Sequence, residues 1–387
     1  MHNQIIKFIR EKYQSNDVIP LHAPLLDNLD SEYVNDALNS GYVSSIGAYV
    51  DRLESEMALY LNSPRTTACA TGTAALHISL LLAKVQPGDL VITQALTFVA
   101  TCNAISYCNA SPIFVDVDVG TLSLSPDALS LWLNENAILD SEGRCRLANT
   151  LQVIRACVPV HTFGHPAKLN ELNAICCKWN LVLIEDAAES FGSMYEGRQT
   201  GTFGLFGCVS FNGNKIITGG GGGAIISNKI NAMQAKHLTT TAKIPHEYEF
   251  SHDSIGYNYR LPNLNAALVL AQLKKISFFL NAKRLLAKDY ENFFYSTNLK
   301  FMKEPANCKS NYWLNTIFCE DQKERDFLLH ETNSQGIMTR PIWKLMCDLP
   351  MFKDCPSDGL KNSKHFQSIA INLPSGVPRH ELSKLTY

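Results

Sequence analysis

Short apolar runs alternate with longer runs of helical spacing through the first two-thirds of the chain. The strand-like runs are residues 89–94, 111–118, 155–164 and 181–188. The helix-like runs are residues 70–85, 97–108, 124–136 and 165–180. In the third of these, Ser125 and Pro126 form a typical helix start. Such alternation predicts an α/β fold in which helices flank a parallel sheet.

The pattern changes after residues 256–275, and a long helix is predicted to begin near Asn263. The chain beyond that helix has shorter elements and mixes helix with strand. A length of 387 residues leaves room for two or three domains. We therefore expect an N-terminal segment plus a large domain over residues 1–265, and a small C-terminal α/β domain over residues 266–387.

The composition argues against several classes of protein. Lys plus Arg total 34 against 36 Asp plus Glu, so the basic excess typical of nucleic-acid-binding proteins is missing. No run reaches the ~18 apolar residues that span a bilayer. The N-terminal Ile5, Ile6, Phe8 and Ile9 follow one side of an amphipathic helix rather than the core of a signal peptide. The 12 cysteines form no paired CxxC motifs, so no metal site is expected, and their scatter favours the cytoplasm.

A lone lysine, Lys215, lies between an apolar run and five consecutive glycines, Gly219–Gly223. Most lysines are only solvated charges, and that is the alternative here. A lysine in a crowded pocket loses its proton more readily and can form a Schiff base with an aldehyde. The glycines favour this second interpretation, because they allow the backbone to approach a ligand closely.

Two further features lie where predicted strands end. The backbone N–H groups of residues 70–73 (ATGT), at the start of a helix, would bind a phosphate, although capping by a threonine is the alternative. Glu185 and Asp186 close a strand, where a rigid and partly desolvated carboxylate would pair with a cation such as a ring nitrogen. The alternative for this pair is that a carboxylate caps the next turn.

Phe98 and His161 also follow predicted strands. Phe98 would stack on a planar cofactor or belong to the core. His161 would line the same mouth or hydrogen-bond a loop. An anion cradle, a stacking aromatic, a carboxylate and a Schiff-base lysine at one edge of a sheet form the set that pyridoxal 5'-phosphate requires.

The chain resembles the DegT/StrS-type sugar aminotransferases, pyridoxal phosphate enzymes with the aspartate-aminotransferase fold (PLP fold type I). The resemblance covers about residues 19–374. Its motifs are TGTAALH (71–77), LTFVATCNAI (96–105), IEDAAESFGS (184–193), GTFGLFGCVSFNGNK (201–215) and IGYNYRLPNLNAAL (255–268). It implies a large, mixed, mostly parallel sheet domain and a smaller C-terminal domain.

A closer similarity is to the LegC branch, the aminotransferases of the legionaminic acid pathway. The stretches that carry it are IPLHAP, VSSIGAYVDRLE, CVPVHTFGHP, HLTTTAKIPHEYEF and GIMTRPIWKLM. This similarity implies transfer of an amino group, from L-glutamate, to C4 of UDP-4-keto-6-deoxy-N-acetylglucosamine for a bacterial surface sugar. It also implies a homodimer with shared active sites.

The resemblance assigns roles to single residues. Lys215 would form the Schiff base, and Asp186 would pair with the pyridinium nitrogen. Phe98 would stack on the ring, while Glu189 would face the ring oxygen or the substrate. The phosphate would be bound by Gly72, Thr73 and Ser210, and by Asn258 of the neighbouring subunit. Tyr257 and Arg260 would support the loop of Asn258, and Arg340 would shape the nucleotide-sugar pocket.

The sequence departs from the family pattern at Gly219, where relatives often have threonine, and this change is expected to remove a hydroxyl and add flexibility. Cys69 and Cys102 also replace smaller residues; they would be buried structural thiols or oxidation-sensitive sites.

Three alternatives to this substrate and activity stay open. The dehydratases of the family carry histidine at the lysine position, which Lys215 disfavours. A GDP- or dTDP-4-keto-6-deoxy sugar would undergo the same chemistry. A non-catalytic regulatory protein on the same fold is the third.

Overall fold

The computed structural model describes residues 2–385, so Met1 and the last two residues of the predicted C-terminal domain lie outside it. The strands of the described chain are β1 (Arg65–Cys69), β2 (Leu90–Gln94), β3 (Ser111–Val115), β4 (Ala137–Leu139), β5 (Cys145–Leu147), β6 (Ile154–Val158), β7 (Val182–Asp186), β8 (Met194–Tyr195), β9 (Arg198–Gln199), β10 (Phe206–Ser210), β11 (Gly223–Ser227), β12 (Lys243–Ile244), β13 (Ser251–His252), β14 (Lys300–Phe301), β15 (Cys308–Lys309), β16 (Asn315–Phe318), β17 (Arg340–Pro341) and β18 (Ala370–Leu373).

The helices are α1 (His2–Tyr13), α2 (Asn28–Asn39), α3 (Ala48–Leu61), α4 (Gly72–Leu82), α5 (Val99–Tyr107), α6 (Pro126–Asn136), α7 (Leu169–Lys178), α8 (Lys229–Thr239), α9 (Asn263–Lys274), α10 (Ile276–Phe294), α11 (Gln322–Ser334) and α12 (Lys361–Ile369). Short 3₁₀ turns cover Thr162–Gly164, Met346–Asp348 and Arg379–Lys384.

A seven-stranded sheet forms the centre of the molecule, in the order β1-β11-β10-β7-β6-β2-β3. The strands from β10 to β3 run parallel to one another, and β11 is antiparallel to both of its neighbours. Helices α4, α5, α6 and α7 connect these strands and pack their apolar sides on the sheet. The predicted α/β fold with a large, mostly parallel sheet is confirmed.

Local sequence signals explain where the flanking helices begin. The Ser125 hydroxyl accepts from the backbone N–H of Ala128, and Pro126 is the first residue of α6, as predicted. The Thr71 hydroxyl likewise accepts from the N–H of Ala74 at the start of α4. The helix predicted near Asn263 begins at that residue as α9, and α10 follows almost at once.

The C-terminal part carries a second, four-stranded antiparallel sheet in the order β14-β16-β18-β17. The N-terminal helix α1 buries Ile5, Ile6 and Ile9 in the same apolar cluster as residues of this sheet and of α10. Ile317 and Ile371 are members of that cluster. The amphipathic helix expected at the N-terminus therefore packs on the C-terminal part of the chain, and the division at residues 265/266 stays a prediction.

The cysteines are all unpaired, and Cys69 and Cys102 are buried. Burial raises the pKa of both thiols, which disfavours the reactive thiolate. Both residues thus match the structural alternative rather than an oxidation-sensitive site.

Within residues 2–385, no helix is both long and apolar enough to cross a membrane.

Candidate active site

A cavity of about 360 Å³ lies where the carboxyl ends of β7 and β10 meet the amino end of α4. Most of the residues singled out in the sequence line it. These residues are Gly72, Thr73, Phe98, Asp186, Glu189, Ser210 and Lys215. The carboxyl edge of a parallel sheet is where open α/β folds bind ligands, which explains why residues from distant parts of the chain meet here.

Lys215 extends its amine into the cavity, with a side chain that is only 12% exposed. Burial lowers the pKa of this amine, and the nearby carboxylates of Glu189 and Asp186 oppose the shift. Nζ lies 3.7 Å from Glu189 Oε1 and 3.9 Å from the centroid of the Trp313 ring. The lysine is therefore a poorly solvated base rather than a solvated surface charge.

Glu189 is buried, and burial raises its pKa to about 7, although the Lys215 charge acts in the opposite direction. Its Oε2 accepts a hydrogen bond from the backbone N–H of Phe163 (2.9 Å). Phe163 has φ +57°, a left-handed conformation that is uncommon for a bulky residue. The turn at Phe163 thus fixes one carboxylate oxygen, while the other faces Lys215.

Asp186 and Glu185 are both buried but have different surroundings. Asp186 Oδ2 accepts from the Thr101 hydroxyl (2.7 Å) and Oδ1 from the N–H of Ala188 (3.1 Å). Burial raises the pKa of Asp186. Glu185 Oε1 and Oε2 instead accept from the backbone N–H groups of a nearby loop, those of Gly201, Phe203 and Gly204. Asp186 is consequently the carboxylate that faces the cavity.

His161 is buried and bonds Glu185 and a loop. Its Nε2 lies 3.1 Å from Glu185 Oε2, and its Nδ1 accepts from the N–H of Ala167 (3.1 Å). A ring nitrogen that accepts leaves the proton on the other one, so Nε2 donates to Glu185. Of the two alternatives for His161, the loop-bonding one matches the structure.

The amino end of α4 forms a tight cradle against β10. A Cβ atom added to Gly72 would lie 2.9 Å from the Ser210 Cβ, so only glycine fits there. The Thr71 hydroxyl caps Ala74, which leaves the N–H groups of Gly72 and Thr73 free of intrahelical partners. The expected threonine cap and the expected anion cradle are therefore compatible parts of one helix start.

Phe98 is 54% exposed and lines the cavity mouth, so the core alternative for this residue is wrong.

Asn258, in contrast, does not line the cavity. It is exposed, its backbone bridges Thr240, and its Oδ1 accepts from Arg260 Nε (3.0 Å). The Tyr257 ring stacks on Tyr259 at 5.2 Å. Arg260 thus bonds the Asn258 side chain, while Asn258 itself lies outside this chain's own cavity.

The glycine run has two structural functions. Gly221 and Gly222 line the cavity. Gly219 and Gly223 instead pack against protein: an added Cβ would lie 2.6 Å from Val269 Cγ2 at Gly219, and 2.6 Å from the Gly72 backbone nitrogen at Gly223. The sequence predicts added flexibility at Gly219, whereas the structure shows close packing of this glycine against α9.

The cavity also contains residues that sequence reasoning missed. Trp313 and Trp343 come from the C-terminal part of the chain, and Asn212 and Asn214 lie three residues and one residue before Lys215. The stretch of sequence that contains Arg340 contributes Trp343 to the lining of the cavity. Arg340 itself is exposed and donates to Asn333 Oδ1 (2.8 Å) and to the Thr339 carbonyl (2.7 Å). The asparagines could have been suspected from their place beside the lysine, whereas no local signal marks the tryptophans.

This donor set fits pyridoxal phosphate. The cradle at Gly72 would hold its phosphate, and the buried Asp186 carboxylate would face its ring nitrogen. Phe98 would cover the ring at the mouth of the cavity, where Lys215 supplies the amine.

Comparisons with known proteins agree with this fit. Residues 24–381 match the DegT/DnrJ/EryC1/StrS aminotransferase family. A putative pyridoxal phosphate-dependent aminotransferase, EpsN of Bacillus subtilis, is 35% identical over 86% of this chain and 84% of its own. A GDP-perosamine synthase of Escherichia coli O157:H7 is 35% identical over 87% of each chain.

Solved structures agree with this family and share its fold. A DegT DnrJ EryC1 StrS aminotransferase from Brucella abortus superposes with a TM-score of 0.80, at 26% identity and 90% coverage of each chain. Helicobacter pylori PseC, an aminotransferase of pseudoaminic acid biosynthesis, superposes with a TM-score of 0.84 over 95% of this chain and 99% of its own, at 22% identity. The chain therefore belongs to the DegT/DnrJ/EryC1/StrS aminotransferase family and is a pyridoxal phosphate-dependent aminotransferase.

Proposed function

We propose that this enzyme transfers an amino group, from L-glutamate, to C4 of a 4-keto-6-deoxy nucleotide sugar. The observation that carries the proposal is the poorly solvated Lys215 amine, 3.7 Å from Glu189, in a cavity that also contains Asp186. An intact lysine argues against the dehydratase alternative, and an intact set of cavity residues argues against a non-catalytic protein.

Each side chain has a definite part in this mechanism. Pyridoxal phosphate, when bound, supplies an electron sink for negative charge at the reacting carbon. Asp186 keeps the ring nitrogen protonated, because a buried carboxylate favours an adjacent cation. Lys215 Nζ takes a proton from the α-carbon of the amino donor and, with the keto sugar, delivers one to C4. Glu189 Oε1 stabilises the protonated lysine between these steps.

The substrate proposal starts from UDP-4-keto-6-deoxy-N-acetylglucosamine, the sugar that the LegC resemblance implies. A specific observation favours the GDP alternative. GDP-perosamine synthases from Escherichia coli, Vibrio cholerae and Caulobacter vibrioides are 35%, 32% and 29% identical to this chain. Both nucleotides are therefore candidates, and both lead to a 4-amino sugar by the same chemistry.

The 12 unpaired cysteines support the cytoplasm as the proposed location.

We also propose a homodimer with shared active sites. Asn258 lies outside the cavity of its own chain, on a loop that Arg260 and Tyr257 hold in place. Apolar side chains are exposed in the same region, including Tyr248, Phe250 and Ile255 at 77%, 82% and 85%. Such a surface suits a second copy of the chain, whose cavity would receive Asn258.

The substrate is tested with the pyridoxamine form of the enzyme, in the absence of an amino donor. Each 4-keto-6-deoxy sugar is added in turn, as its UDP, GDP or dTDP form, and the absorbance of the pyridoxal form is followed. Rapid return with the UDP-N-acetyl sugar supports the primary proposal. Return with only the GDP or dTDP sugar keeps the chemistry and replaces the substrate, and no return with any of them contradicts the proposed function.

A further inference from the structure

The Lys215 amine lies against an aromatic face as well as a carboxylate. Nζ is 3.9 Å from the Trp313 ring centroid, well within the ~6 Å range of cation–π contacts. Trp313 is buried, so little water competes for this contact. An indole face is the strongest aromatic partner for an ammonium group, and its effect grows with desolvation.

Trp313 is fixed from three sides. Its Nε1 donates to the carbonyl of Asn214, the residue before Lys215 (2.6 Å). Its backbone N–H donates to Asn311 Oδ1 (2.7 Å), and Lys283 Nζ donates to its carbonyl (3.2 Å). A buried indole N–H needs an acceptor, and for Trp313 that acceptor belongs to the loop that carries Lys215, so the ring is fixed relative to the lysine.

The same network reaches the carboxylate on the other side of the lysine. Asn311 Nδ2 donates to the backbone carbonyls of Glu189 (2.9 Å) and Phe191 (3.0 Å). The Asn311–Trp313 unit therefore joins the segment that carries Glu189 to the segment that carries Lys215. These bonds help to set the relative position of the two side chains.

We propose that Trp313 is a positioning residue for Lys215, whose indole face holds the lysine amine in the cavity and stabilises its protonated form. A general base that must also return its proton works best with a proton affinity near the working pH. Burial lowers the pKa of Lys215, and the carboxylates of Glu189 and Asp186 oppose that shift. A cation–π contact with Trp313 acts in the same direction as these carboxylates.

The other titratable groups around this contact come from several elements. Asp186 at the end of β7 and Glu189 after it face Lys215 and raise its pKa. His22 of the N-terminal segment lies beside the Trp313 ring, at 6.5 Å between centroids. Burial, together with the charges of Lys283 and Lys215, lowers the pKa of His22, which favours the neutral ring.

The test measures the proton affinity of Lys215 in the full chain without cofactor. Trace acetylation with acetic anhydride at a series of pH values, read by mass spectrometry of the Lys215 peptide, gives a labelling curve for this one amine. Trp313→Leu is expected to lower the midpoint of the curve by about 0.5–1.5 pH units. Trp313→Phe, which keeps a weaker aromatic face, is expected to lower it by less.

Trp343→Leu is the matched control, because Trp343 lines the same cavity but packs its ring on Phe163, at 5.1 Å between centroids. Its labelling curve should coincide with that of the wild type. A Trp313→Leu protein with a native circular dichroism spectrum and an unchanged curve would overturn the proposal. If Trp313→Leu does not fold, Trp313→Phe decides: a lowered midpoint supports the proposal, and an unchanged one refutes it. No cofactor or sugar enters this experiment, so its outcome is independent of the proposed substrate.

Discussion

Glu189 and Lys215 lie together in one buried part of the cavity. The charge of each group lowers the free-energy cost of ionising the other. A carboxyl whose folded-state pKa is about 7, against an ordinary 4.5, binds its proton more tightly in the folded chain than in the unfolded chain. Its contribution to stability is therefore full below about pH 4.5 and is lost as the pH rises to about 7. The cofactor-free enzyme carries this cost at neutral pH, as functional sites often do.

Glu189→Gln should remove that pH dependence. The glutamine keeps an oxygen for the N–H of Phe163 but does not titrate. The free energy of unfolding of the cofactor-free variant, relative to wild type, should rise by on the order of 2–3 kcal/mol between pH 4.5 and pH 8. Urea unfolding at several pH values measures it. A constant difference across this range would show that Glu189 is already ionised at low pH.

Asp186→Asn tests the carboxylate that faces the cavity. The amide keeps the shape of the side chain and can still accept from the Thr101 hydroxyl, but it cannot stabilise a positive ring nitrogen. We expect kcat to fall by roughly 100-fold or more, with the far-ultraviolet circular dichroism unchanged. Steady-state kinetics with a saturating amino donor give the result, and a kcat within a few-fold of wild type would remove the role assigned to Asp186.

At the scale of elements, β7 shows how far local sequence reasoning reaches. The apolar run and its two terminal acids predicted a buried strand that ends at the site. Side chains alternate across a sheet, so Glu185 and Asp186 had to face opposite sides. Which side carries the cavity is set by contacts with Thr101 and with residues 201–204, far away in the chain.

The cavity residues predicted from the sequence come from the last residues of strands of the main sheet, from the loops that follow those strands, or from the start of α4. Trp313 and Trp343 could not be found in this way. They are supplied by the C-terminal part, 98 and 128 residues beyond Lys215, and only tertiary packing brings them to the site. An isolated tryptophan in a mixed segment has the same local signature whether it fills a core or covers a ligand.

The glycine loop between β10 and β11, which packs against α9, gives the prediction at this scale. Gly219→Thr places a Cβ 2.6 Å from Val269 Cγ2 and 2.9 Å from the Asn265 carbonyl oxygen, so α9 or the loop must move. We expect a loss of about 1–3 kcal/mol in the free energy of unfolding. Gly221→Ala is the matched control, because no atom lies within 4 Å of its added Cβ. Equal stability of the two variants would show that the loop has room for the threonine of its relatives.

At the scale of the whole molecule, an active site shared between two chains predicts that two inactive variants can restore activity in a mixed dimer. A site built from one chain would not give this result. Lys215→Ala removes the amine from the cavity of its own chain. Asn258→Asp places a negative charge beside the cofactor phosphate that the cavity of the proposed partner subunit would bind. Each homodimer should be nearly inactive. A mixed dimer has one site with both changes and one site with neither, because Lys215 and Asn258 at a given site come from different chains.

Subunit exchange between the two inactive variants should therefore restore activity. Random mixing in equal amounts makes half of the dimers mixed, so about a quarter of the wild-type activity is expected. The measurement is the initial rate of transamination before and after exchange under mild denaturant. Lys215→Ala mixed with Asp186→Ala is the control, since both residues line the cavity of one chain. No recovery in either mixture would place Asn258 outside any shared site. Recovery only with Asn258→Asp would show that the functional unit is the dimer, with an active site built from two chains.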